Sequence, residues 1–156
     1  MRPLAVADSA CLIGLERISR LDLVSAQFTT VLAPPAVLAE FGVPLPWLKP
    51  STPKNTTLVA ALRLQVESGE SEAIALAAET SGAEIILDDR KARRIAGEMG
   101  LAIVGTVGLL LRGKRMGIIP AIAPVLDSLA AAGFFVAAEL RLEALRRAGE
   151  QAPPRS

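Results

Sequence analysis

The sequence predicts an α/β domain with a mainly parallel sheet of four to five strands, covered on both faces by helices. Three observations predict it. Short apolar runs of strand length alternate with segments whose apolar residues recur at helical spacing. The 156 residues are 51% hydrophobic and 21% charged, enough apolar material for one core. No internal repeat or second core interrupts the alternation, so residues 1–150 are expected to form one domain and 151–156 a disordered tail.

The elements follow in chain order. Leu4 to Ala7 is a buried-strand run that ends at Asp8 and Ser9. Residues 10–18 and 21–28 carry helical spacing. Thr29 to Ala33 is a second strand, closed by Pro34 and Pro35, which cannot continue a strand but suit a helix start. A helix follows over 36–41. Gly42 to Asn55 is the one long irregular stretch, with Pro44, Pro46, Pro50 and Pro53 around Trp47, the surface crossover's anchor. Helices are expected over 57–66 and 69–78, the latter with Ser68 as N-cap and acids in its first turn. Glu84 to Leu87 is the third strand, 90–99 a basic helix, and Leu101 to Val104 the fourth strand. Helices over 107–116, 120–132 and 137–148 complete the chain, with Phe134 to Val136 a candidate fifth strand.

The missing residue types exclude much chemistry. The chain has no histidine and one cysteine, Cys11, on an apolar helix face. Hydrolases that use an imidazole base, zinc fingers and histidine-ligated metals are excluded, as are intrachain disulfides. Net charge is +1, so any charge signal must be local. The longest apolar stretch, 101–111, is about half the roughly 20 residues of a membrane span. Asp8 breaks the only signal-peptide-like segment, so no membrane association and a cytoplasmic location are expected.

Three of the five aspartates, Asp8, Asp88 and Asp89, directly follow an apolar strand. In an open parallel sheet ligands bind outside the carboxyl ends of the strands, so these acids converge on one edge. Each alone would serve as a helix cap; together they mark a site. Glu40, on the helix after Pro35, and Glu72, in the first turn of its helix, are candidates to join them. Four such carboxylates need a counter-charge. Oxygen donors without histidine or cysteine select Mg²⁺ or Mn²⁺, which activate water and clamp a phosphoryl oxygen. Seven of the 17 basic residues fall in two clusters, around Arg90, Lys91, Arg93 and Arg94 and around Arg112, Lys114 and Arg115, suited to a polyanion backbone. Ser9 could hold a phosphate or cap its helix. The turn Gly105-Thr106-Val107-Gly108 offers backbone N–H groups for a phosphate or permits tight packing.

Taken together, Asp8-Ser9, APPAVLAEF with Glu40, GESEAIALAAE with Glu72, IILDDRKARRIA with Asp88, and IVGTVGLLLRGKRMGIIP resemble the PIN-like nuclease superfamily. The likeness spans roughly residues 4–148 and is closest to a bacterial and archaeal branch described as PIN-domain nucleic-acid-binding proteins. It implies a three-layer α/β/α sandwich and a metal-dependent endoribonuclease with catalytic Asp8, Glu40, Glu72 and Asp88. The metal, Mg²⁺ or Mn²⁺, would sit on Asp8, Glu72, Asp88 and Asp89. Asp89 competes with Asp88 for the fourth position, and Glu70 lies close enough to compete with Glu72. RNA would be held by Ser9, Arg90, Lys91, Arg94, Arg112, Lys114 and Arg115. Many members are toxins silenced by a small antitoxin protein, and PIN domains commonly form homodimers; the helices over 107–111 and 137–145 would supply that face. The rival is a non-catalytic PIN-fold module that binds nucleic acid or protein. A small-molecule phosphatase ranks last, because its nucleophilic DxD would need an acid where Ala10 stands.

Overall fold

The computed structural model describes residues 3–151, so the final residues of the expected tail lie outside the described residues. Five strands, β1 (Leu4–Ala7), β2 (Thr30–Ala33), β3 (Leu48–Pro50), β4 (Ala83–Ile86) and β5 (Ala102–Val104), form one sheet in the order β3-β2-β1-β4-β5. Every pairing is parallel. Ala5, Val6 and Ala7 are wholly buried in the central strand, the continuous apolar run that a sheet covered on both faces requires.

Nine helices among the described residues flank it: α1 (Ser9–Arg17), α2 (Asp22–Ser25), α3 (Pro35–Phe41), α4 (Thr56–Leu62), α5 (Ser68–Ala78), α6 (Arg90–Glu98), α7 (Thr106–Arg115), α8 (Ala123–Ala131) and α9 (Ala138–Arg147). The result is a three-layer α/β/α sandwich. Helix α5 lies on β1 and β4 with α3 and α4 beside it. Its run Ala73–Ala77 is buried throughout, which is why no single face of this helix reads as apolar. Gln27 ties α2 to α7, donating from Nε2 to the carbonyls of Leu23 and Leu109 at 2.8 Å each.

Three expectations change. The fifth strand is β3, inside the proline-rich stretch, and not Phe134–Val136. Pro50 is tolerated there because β3 pairs only with β2 and forms the sheet edge. Trp47 packs against the core just before it. Phe134 instead lays its ring against Gly14 of α1, anchoring the α8–α9 connection. The N-cap of α5 is Glu67, not Ser68: Glu67 and Glu70 form a reciprocal capping box. Finally, Leu109 and Leu110 are fully buried within the chain, so the apolar run of α7 offers no dimer face. Leu140 and Leu142 of α9 are about half exposed.

Candidate functional site

The carboxyl edge of the sheet collects the acids. Asp8 follows β1 and is anchored by its backbone N–H to the Ile86 carbonyl of β4 (3.2 Å). It occupies the N-cap position of α1 without making a side-chain cap bond. Its carboxylate is buried, and Oδ1 has no hydrogen-bond partner. Burial raises its pKa from 3.8 to about 7; the Ser9 backbone N–H opposes this, and Glu70, Glu40 and Asp88 add to it by like-charge repulsion.

The neighbours are each fixed by a specific contact. Ser9 donates from Oγ to Glu40 Oε2 at 2.6 Å, drawing α3 toward α1. Glu40 in turn lies against the backbone of Gly69, where a Cβ would fall 2.5 Å from Oε1. Gly69→Ala is therefore expected to push the Glu40 carboxylate off Ser9 and, if the RNA cleavage expected from the sequence occurs, to lower it about tenfold or more. The fold should be retained, because the clash is with the movable end of a side chain and alanine favours a helix. Unchanged cleavage kinetics in that variant would remove Glu40 from the site.

Asp88 follows β4 and is held from two sides by Thr106: the backbone N–H reaches Oδ1 at 2.8 Å and Oγ1 donates to Oδ2 at 2.7 Å. Thus the N–H of the glycine turn expected to cradle a phosphate already serves Asp88. The signal for that role in the sequence is the threonine directly after Gly105, whose hydroxyl and N–H both reach Asp88. Cys11 is fully buried nearby, and burial pushes its thiol well above the usual range. Asp89 caps α6, accepting from Ala92 N–H at 2.9 Å.

Helix α5 contributes Glu70. Burial raises its pKa, and Asp89, Glu67 and Glu40 repel it further, against a lowering bond from the Glu67 N–H. Glu72 points elsewhere: it accepts from Ala36 N–H (3.1 Å) and pairs with Arg63 (3.2 Å). The structure therefore brings Asp8, Glu40, Glu70 and Asp88 together and engages Glu72 in joining α5 to α3 and α4.

The two basic clusters separate. Arg90, Lys91 and Arg94 are exposed on α6, immediately after the acids. Arg112 and Lys114 sit at the far end of α7. Arg112 forks onto Glu84 at 2.8 and 2.9 Å and lies 5.9 Å from the Phe28 ring centre, while Lys114 binds Glu150 and the Ala148 carbonyl. Arg112 borders the opposite edge of the sheet with Gly82, Glu84 and Ala102, and Lys114 is held by the chain's C-terminal segment, so both are structural cations rather than RNA contacts at the acid edge. Arg115, exposed in the last turn of the same helix, is remote with them.

Among the described residues no three acids or thiols are arranged to hold a metal ion as they stand. The donor set nonetheless fits a hard divalent cation: Asp8 has an orphaned carboxylate oxygen, and the repulsion from Glu70, Glu40 and Asp88 that helps keep its proton on is one that a bound cation would relieve. No helix among the described residues is long and apolar enough to cross a membrane. A family model described as a PIN domain matches residues 4–150. No curated protein and no solved structure matches the chain significantly.

Proposed function

Because the chain belongs to the PIN-domain family, whose fold is of nuclease type, we propose that it is a Mg²⁺- or Mn²⁺-dependent endoribonuclease. The observation that carries this reading is the buried Asp8 carboxylate, one oxygen unpartnered, under like-charge repulsion from Glu70, Glu40 and Asp88 at the carboxyl edge of a parallel sheet. Asp8, Glu70 and Asp88 would hold the cation and Glu40 would complete its surround. When bound, the cation supplies Lewis-acid activation of water and charge relief at phosphorus.

The chain's own groups do the rest. Ser9 fixes the Glu40 carboxylate, and Thr106 fixes that of Asp88, so both are oriented before substrate arrives. Arg90, Lys91 and Arg94 hold the RNA backbone without reading bases. The family resemblance further supports a toxin role with an antitoxin partner, and a homodimer in which the half-exposed Leu140 and Leu142 of α9 take part.

The test is cleavage of a labelled single-stranded RNA by purified protein. Cleavage is expected with Mn²⁺ or Mg²⁺ and should stop on chelation. RNA binding that is indifferent to chelator, with no cleavage under any divalent ion, would instead identify a non-catalytic binding module.

A further inference from the structure

Arg93 stands apart from the other cations of α6. Arg90, Lys91 and Arg94 are exposed, whereas Arg93 is half-buried and turned back over the sheet edge. Its Nη1 donates to the carbonyl of Leu87, the residue just before Asp88, at 2.8 Å. That bond locks the guanidinium in one place. The missing side chain of Gly105 makes room for it: a Cβ there would lie 2.7 Å from Arg93 Nη1 and 3.1 Å from Asp88 Oδ1. Arg93 and Asp88 thus both border the space that the absent Gly105 side chain leaves. They form no direct ion pair, since Arg93 takes part in none of those among the described residues.

A fixed arginine fork with donors to spare, beside carboxylates that gather a cation, has the chemistry of a phosphate clamp. Asp88 is turned to Thr106 by both its oxygens, while the guanidinium is turned to the Leu87 carbonyl. We propose that Arg93 binds a non-bridging oxygen of the scissile RNA phosphate at the acid edge. This rests on the nuclease reading above and adds to it a residue for the phosphate itself, distinct from the exposed arginines that track the backbone. The clamp is worth most where charge builds on phosphorus, so it should act on turnover more than on substrate affinity.

The experiment compares Arg93→Ala and Arg93→Lys with Arg94→Ala, using one single-stranded RNA oligonucleotide. Cleavage is followed in Mn²⁺, RNA affinity in Ca²⁺, and Mn²⁺ affinity by calorimetry without RNA. Arg93→Ala should lower kcat about 100-fold and RNA affinity less than tenfold, leaving Mn²⁺ affinity within about threefold of the wild type. Arg93→Lys should recover part of kcat, and Arg94→Ala should raise KM with little change in kcat. Parallel losses of Mn²⁺ affinity and activity in Arg93→Ala would overturn the proposal, since Arg93 would then merely hold the Leu87–Asp88 segment. So would unchanged kcat and unchanged RNA affinity. A wild type that binds RNA without cleaving it, with binding weakened by Arg93→Ala, would end the nuclease reading and leave the phosphate contact standing. A wild type that neither binds nor cleaves would overturn both.

Discussion

Asp8→Asn is expected to abolish RNA cleavage and, in metal-free protein, to raise the melting temperature. Both effects have one origin. A carboxylate buried beside three others is costly to ionise, and its pKa moves from 3.8 to about 7. The folded state thus holds the Asp8 proton more tightly than the unfolded chain. The wild type loses stability as pH rises from about 4 to 7, and the loss is complete above that range. The shift corresponds to roughly 4 kcal/mol, an order-of-magnitude figure for one buried group. Asparagine keeps the shape and removes the charge. In a chain of this size the variant should melt roughly 10 °C above the metal-free wild type at about pH 8, the gap closing near pH 4. Mn²⁺ should reverse the order by stabilising only the wild type. A variant that melts with or below the wild type at every pH would show that Asp8 is not a strained carboxylate. Full cleavage by the variant would remove it from the site.

The parallel strands were legible because they are apolar and are buried on both faces; β1, β2, β4 and β5 each stand out as short runs ending at a turn or an acid. Strand β3 was not. It has three residues, one of them proline, and owes its pairing to β2 rather than to its own propensity. Phe134–Val136 misled for the opposite reason: Phe134 is there to pack on Gly14 of α1, and Phe135 is exposed, so these β-favouring residues join no ladder. At the site, an acid after an apolar strand located Asp8 and Asp88, since the fold carries every strand end to one edge. What sequence could not supply was the direction of each side chain. Arg112 and Lys114 looked like a second RNA-binding cluster, and only the run of α7 back to the far edge shows them pairing with Glu84 and Glu150. Asp88 and Asp89 are adjacent, yet one is gripped by Thr106 beside the cluster and the other caps α6.

The choice between Glu70 and Glu72 shows the same ambiguity at its sharpest, and a paired substitution resolves it. The two residues are separated by one position, which turns them about 200° apart around an α-helix. Only one can face Asp8, and Glu70 is the one whose charge raises the Asp8 pKa. Glu70→Gln keeps an oxygen for the Glu67 N–H of the capping box and removes the charge from the cluster. Groups one shell out from a bound metal already contribute 10- to 100-fold to affinity, so loss of this ligand should weaken Mn²⁺ binding at least about 100-fold and cleavage with it. Glu72→Gln can still accept from Ala36 N–H and gives up only its ion pair with the half-exposed Arg63, about 0.5 kcal/mol. Its Mn²⁺ affinity should stay within a few-fold of the wild type. Calorimetry on both variants, beside their melting curves, decides the matter. If Glu72→Gln loses the metal and Glu70→Gln keeps it, the Arg63 pair must open when the cation binds, and α5 presents its second glutamate instead.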